Sequence, residues 1–153
     1  MADVQVGQQA PDFTIPNENG ENVTLSQLHG KPVVLVFYPL DFSGPCTAEL
    51  CGIRDDFSAF QNYGADVYGI SRDSVYTHKA FKDANGFTYH LLADMKGDVA
   101  KAYGCWNEER AFAERMTVVI DKAGKVTYAI HNSPANTRDH HDAIDAVKEL
   151  QAA

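Results

Sequence analysis

Pro32-Val33-Val34-Leu35-Val36-Phe37-Tyr38-Pro39 runs straight into Leu40-Asp41-Phe42-Ser43-Gly44-Pro45-Cys46, an unbroken apolar stretch followed by a short loop that ends in a cysteine. The apolar stretch is rich in β-branched and aromatic residues and does not alternate with polar ones. It predicts a strand buried on both faces, in the middle of a sheet. From Thr47 to Tyr63 the residues Leu50, Ile53, Phe57 and Phe60 recur at three- and four-residue spacing, with Arg54, Asp55 and Asp56 between them. That period predicts an amphipathic helix ending near Gly64. A strand, a short loop and a helix therefore bring Cys46 to a helix's first turn.

Upstream, Phe13-Thr14-Ile15 and Asn22-Val23-Thr24-Leu25 flank a turn containing Asn19-Gly20, the pattern of a small N-terminal hairpin. Downstream, residues 66–71 and 90–93 read as strands, residues 74–85 as a helix stopped at Gly86, and residues 98–103 as a short helix. Residues 116–120 and 125–130 form a second hairpin around Asp121-Lys122-Ala123-Gly124, and Arg138 to Leu150 closes the chain as an amphipathic helix. The order βαβαβ then ββα predicts an α/β layer fold, a central mixed sheet with helices on both faces, compatible with a thioredoxin-like fold.

At 153 residues, with no internal repeat or linker, one domain spanning 1–153 is expected. The formal net charge of −8 and the lack of a Lys/Arg cluster argue against a nucleic-acid surface. The longest apolar run is too short to cross a bilayer, and the start lacks the basic and apolar segments of a signal peptide, so no membrane partner and a cytoplasmic location are expected. Three cysteines cannot all pair within one chain, which points to reactive or buried thiols rather than a disulfide framework. His140 and His141, weighed with His131 as metal ligands, point about 100° apart on a helix and predict no metal. No glycine-rich phosphate loop follows a strand, so no nucleotide cofactor is expected.

A thiol attacks peroxide as its thiolate, and a helix's first turn offers free N–H groups and the positive end of the macrodipole. Pro45 suits that turn because its missing N–H would have had no partner there. Ser43 can cap the helix, or its hydroxyl can bond the thiolate or a bound peroxide.

Pro39-x-x-x-Ser43-x-x-Cys46 resembles the peroxiredoxin active-site pattern, and Ala10-Pro11-Asp12-Phe13 and Arg115 extend the resemblance over essentially the whole chain. The resemblance implies that Cys46 is the peroxidatic cysteine. It assigns Pro39 to shielding the pocket, Ser43 to orienting peroxide, and Arg115 to favouring the thiolate and polarising the O–O bond. Glu49 stands where the family often has a glutamate; a solvated first-turn carboxylate is its plainer single role, and holding an arginine the alternative.

Cys46-Thr47-Ala48-Glu49-Leu50-Cys51 is similar to the bacterioferritin-comigratory, PrxQ-type branch, whose spacing implies that Cys51 resolves the Cys46 sulfenic acid as a disulfide. Ala102-Tyr103-Gly104-Cys105-Trp106-Asn107-Glu108 instead resembles the one-cysteine alkyl hydroperoxide reductase E group. Cys105 reads as a packed or interface thiol, with a resolving role as the alternative. Five residues along an ideal helix separate Cα atoms by roughly 8 to 9 Å, beyond the roughly 7 Å a disulfide can bridge, so a Cys46–Cys51 bond requires the helix to unwind partly. The resemblance further implies a thioredoxin- or glutaredoxin-type reductant and a homodimer. A thioredoxin-fold thiol–disulfide oxidoreductase is the rival enzyme class, but its Cys-x-x-Cys is absent; a redox sensor switching a partner through Cys46 is the non-enzymatic rival.

Overall fold

The structure is a computed structural model that describes residues 3–136, 138 and 140–152, the last two by backbone alone. It opens with the hairpin of β1 (Thr14–Pro16) and β2 (Asn22–Thr24), whose turn is held by Asn17 Oδ1 accepting from the backbone N–H groups of Asn19 and Glu21. A 3₁₀ turn over Leu25–Leu28 follows, then β3 (Val33–Phe37), α1 (Gly44–Asn62), β4 (Asp66–Ser71), α2 (Val75–Asn85), β5 (His90–Ala93) and α3 (Asp98–Tyr103). Two short strands, β6 (Trp106–Asn107) and β7 (Phe112–Ala113), precede β8 (Arg115–Ile120), β9 (Val126–Asn132) and α4 (His141–Ala152).

The five-stranded sheet runs β5-β4-β3-β8-β9, with β3, β4 and β5 parallel and β8 antiparallel to both its neighbours. This is the expected mixed thioredoxin-like sheet, and every residue of β3 is buried at its centre. Side chains alternate across a strand, and the alternation divides the core in two. Leu35, Phe37, Met116 and Val118 pack beneath the hairpin and α3 with Phe13, Leu25, Tyr103 and Cys105. Val34, Val36 and Val119 face α1, α2 and α4 through Leu50, Ile53, Phe81 and Val147. Each fully buried side chain of this size contributes about 1.5 to 3 kcal/mol relative to exposure. The same parity puts Arg115 and Thr117 on the α1 side of β8.

The helix stops are local chemistry. Ser74 caps α2 by accepting from the Thr77 N–H, and Gly86, at φ +64°, ends it by returning its own N–H to Lys82. The C-terminal helix differs from expectation, beginning at His141 rather than Arg138. The Arg138 backbone N–H and guanidinium are spent on Glu49, and the helix begins with the Ile144 N–H donating to the His140 carbonyl. Strand β9 reaches Asn132 because β8 starts one residue early, with Arg115 opposite Asn132.

His131 on β9 joins Asp3 at 2.8 Å to Glu114 at 2.9 Å. Burial alone would lower the imidazole's pKa, but the two carboxylates outweigh it and raise it above the ordinary value. A raised histidine pKa gives stability that is complete below the unfolded value, roughly 6.5, and is lost as pH rises through the folded value. Urea unfolding should therefore separate wild type from His131→Gln at pH 6 and bring them together by pH 9. An equal gap at both pH values would refute the ion-pair role.

Candidate active site

The loop from Tyr38 to Ser43 leaves the buried end of β3 and turns into α1. Ser43 takes the N-cap position in an extended conformation, but its hydroxyl makes no capping bond. Its carbonyl instead accepts from the Thr47 N–H at 2.8 Å and the Thr47 hydroxyl at 2.7 Å. The half-exposed hydroxyl is thus left for something other than the helix, which corrects the capping expectation. Pro45 lies within the first turn, as its fixed φ and missing N–H favour. Pro39 is buried, and the exposed Phe42 takes a left-handed φ of +64° with its ring 4.9 Å from that of Phe81 on α2.

Cys46 is 0% exposed. Arg115 Nη2 donates to its sulfur at 3.3 Å, while Arg115 Nε donates to the Pro134 carbonyl at 2.8 Å and Nη1 to Glu49 Oε1 at 2.5 Å. Three anchors fix one guanidinium beside the thiol. Glu49 also accepts from Arg138 Nη2 at 2.8 Å, Nε at 3.0 Å and backbone N–H at 2.6 Å, and Arg138 Nη1 reaches the Thr117 hydroxyl at 3.2 Å. Burial would push the Glu49 carboxyl up, but Arg138 chiefly, with help from Arg115, holds it below the ordinary carboxylate value. Glu49 is only 5% exposed, so it is the arginine holder and not a solvated first-turn carboxylate.

The buried cluster carries two guanidiniums and one carboxylate. A thiolate on Cys46 brings it to neutrality, and a neutral thiol leaves an uncompensated positive charge. That surplus of positive charge and the start of α1 both face the sulfur. Of the expected site residues, Arg115 meets Cys46 in the fold, while Ser43 and Pro39 lie on the loop that leads to it. Arg138, expected in the last helix, joins the site unforeseen. The available signal was Glu49, an acid one turn from a thiol that needs positive surroundings.

Cys51 lies on α1, half-buried, with its S–H toward Asn85 Oδ1 at 3.7 Å. All three cysteines are free, and α1 is continuous through residues 46 and 51, so the helical separation that precludes a direct bond is present. Cys105 is 1% exposed and sits in the core on the opposite side of the sheet from Cys46. Burial pushes its thiol well above the ordinary range, with Arg138 opposing only in part. Such a thiol is a packed core residue and a poor nucleophile.

Among the described residues, no helix is long and apolar enough to cross a membrane. Residues 6–129 match the AhpC/TSA family. The chain is 40% identical to alkyl hydroperoxide reductase E of Mycobacterium tuberculosis, over 97% of this chain and 99% of that protein. It is 36% identical to peroxiredoxin Bcp of Bacillus subtilis, over 96% and 97%. The reduced 2-Cys peroxiredoxin of Plasmodium vivax superposes with a TM-score of 0.88 at 30% identity, over 96% of this chain and 82% of the other.

Proposed function

The chain belongs to the AhpC/TSA family and is a thiol-dependent peroxidase, and from that premise we propose that Cys46 is the sulfur peroxide oxidises and Cys51 the one that resolves it. The observation that carries the reading is the Arg115 guanidinium set 3.3 Å from a buried sulfur at the start of a helix.

The Cys46 thiolate attacks one oxygen of hydrogen peroxide or an organic hydroperoxide. An S–O bond forms, the O–O bond breaks, and the departing oxygen takes up a proton to leave as water or an alcohol. Arg115 meets the charge that develops on the oxygens with donors that are already oriented and cannot lose their proton. Ser43 offers its hydroxyl to the bound peroxide, and Pro39 closes the pocket against water.

Cys46 sulfenic acid then condenses with the Cys51 thiol; the S–S bond forms and water leaves. Helical spacing forbids this without unwinding the first turns of α1. The burial of Cys105 behind the sheet supports Cys51 over Cys105 as the partner. A thioredoxin- or glutaredoxin-type dithiol restores both thiols by exchange, and the enzyme works as a homodimer.

Peptide mapping by mass spectrometry after one equivalent of hydrogen peroxide tests the scheme. The expected product is a Cys46–Cys51 disulfide, with Cys105 open to alkylation once the chain is unfolded and amide exchange faster over residues 44–54. A Cys46–Cys105 bridge, or a sulfenic acid that persists beside an intact Cys51, would overturn the resolving step.

A further inference from the structure

We propose that His78 is a positioning residue that, through Asp41, latches the active-site loop in its closed state and so sets how quickly oxidised Cys46 can leave its pocket. The inference rests on the Cys46–Cys51 reading above and names the contact that governs its slow step.

His78 on α2 and the Asp41 side chain are both 0% exposed, and His78 Nδ1 lies 2.6 Å from Asp41 Oδ2. His78 Nε2 lies 3.0 Å from the Leu92 carbonyl on β5, which can only accept, so Nε2 carries a proton. Tyr38, at the end of β3, donates its hydroxyl to Asp41 Oδ1 at 2.5 Å. From the turn before α2, Asp73 Oδ2 accepts the Asp41 backbone N–H at 2.9 Å and the Ser71 hydroxyl at 2.5 Å. Tyr38, Asp73 and Ser71 thereby join the pair in one hydrogen-bonded network.

The bond between Nδ1 and Oδ2 needs one proton. With Nε2 donating to the Leu92 carbonyl, that single proton, held between Nδ1 and Oδ2, ties the loop to the helix. Burial, reinforced by Asp73, raises the Asp41 pKa against the opposing pull of His78 and Tyr38. The latch is thus a fully buried bond between the middle of the loop and a helix.

Its place in the reaction follows from α2. Residues 78, 81 and 85 lie along one stripe of the helix; His78 holds Asp41, Phe81 supports the Phe42 ring, and Asn85 accepts from Cys51. The segment that must unwind is therefore gripped from outside, and Cys46 cannot travel toward Cys51 while Asp41 stays in place. A closed latch also prolongs the exposure of Cys46 sulfenic acid to a second peroxide, which would carry it to sulfinic acid.

His78→Leu keeps the volume and removes both bonds, and Asp41→Ala breaks the same contact from the loop should that variant not fold. Asp41→Asn keeps it, because the amide donates to Nδ1 and still accepts from Tyr38. Quenched-flow mass spectrometry should find disulfide formation faster by on the order of tenfold in His78→Leu, as loss of a buried hydrogen bond predicts. The peroxide dose that traps half of Cys46 as sulfinic acid should rise by a similar factor, with no gain in the rate of sulfenic acid formation. Asp41→Asn should stay close to wild type, and Val118→Ala, a cavity on the opposite face of the sheet, should leave the partition unchanged. An unchanged partition in His78→Leu, an equal shift in Val118→Ala, or Asp41→Asn behaving like Asp41→Ala would overturn the proposal. If wild type forms no Cys46–Cys51 disulfide, the resolving reading fails; amide exchange over residues 41–47 of the reduced protein, faster in His78→Leu and unchanged in Asp41→Asn if the latch exists, still decides the inference.

Discussion

Cys46→Ser is expected to abolish peroxide reduction, by about 10⁴-fold or more, while leaving the fold intact. Loss of a sole nucleophile typically costs at least this much. Serine nearly matches the volume of cysteine in a fully buried site, so packing around Leu50 and Ile53 should hold. Its hydroxyl remains protonated at neutral pH even beside Arg115, and a neutral hydroxyl does not displace oxygen from a peroxide. Stopped-flow consumption of hydrogen peroxide, with circular dichroism as the control for folding, checks the result. Cys105→Ser should consume peroxide as wild type does, and Cys51→Ser should complete the first oxidation and then accumulate sulfenic or sulfinic acid. Undiminished turnover in the Cys46 variant would remove the thiolate at the start of α1 from the mechanism.

Glu49→Leu should be among the most damaging changes to stability in the chain. Two guanidiniums buried within the site share this one carboxylate, and removing one member of a buried ion cluster leaves uncompensated charge worth about 3 to 5 kcal/mol. Arg115 would lose one of its three anchors, so the surviving folded enzyme should also react more slowly with peroxide. Glu49→Gln keeps an acceptor without the charge and should fall between the two. Because the folded carboxyl is held below its ordinary pKa, its contribution is complete above the unfolded value, about 4.3, and is lost as pH falls through the folded value. Urea unfolding at pH 7 and again near pH 3 should show the gap between wild type and Glu49→Gln shrinking in acid. A gap that persists unchanged would mean that Glu49 acts through packing rather than charge.

The elements that were legible in the sequence are those whose cause is local. The run through Val33 and Phe37 is apolar because it is central, and Ser74 and Gly86 mark the ends of α2 by capping chemistry, whereas Arg115 was reached through the family resemblance and not through any local period. What escaped depends on partners far along the chain. Arg138 reaches Glu49 across 89 residues from a segment whose period reads as the last helix, so Glu49 alone hinted that an arginine was needed and the fold showed which one. Strands β6 and β7 are two residues each and exist through the pairing of Trp106 with Ala113, which no periodicity records. His78 looks like an ordinary helix residue until Asp41 is brought beside it, and Glu49 reads as a solvated first-turn carboxylate until two arginines are brought to it.

The sheet between Cys46 and Cys105 also determines how the oxidised enzyme can be reset. A disulfide can be reshuffled only by a thiolate that reaches one of its sulfurs, and the sole cysteine left in an oxidised chain is walled off in the other half of the core, where burial disfavours its ionisation. Under the proposed scheme, no internal exchange would scramble or reverse a Cys46–Cys51 bond. That oxidised form would be a dead end within one chain, and its rate of return would be set by how often an outside dithiol arrives.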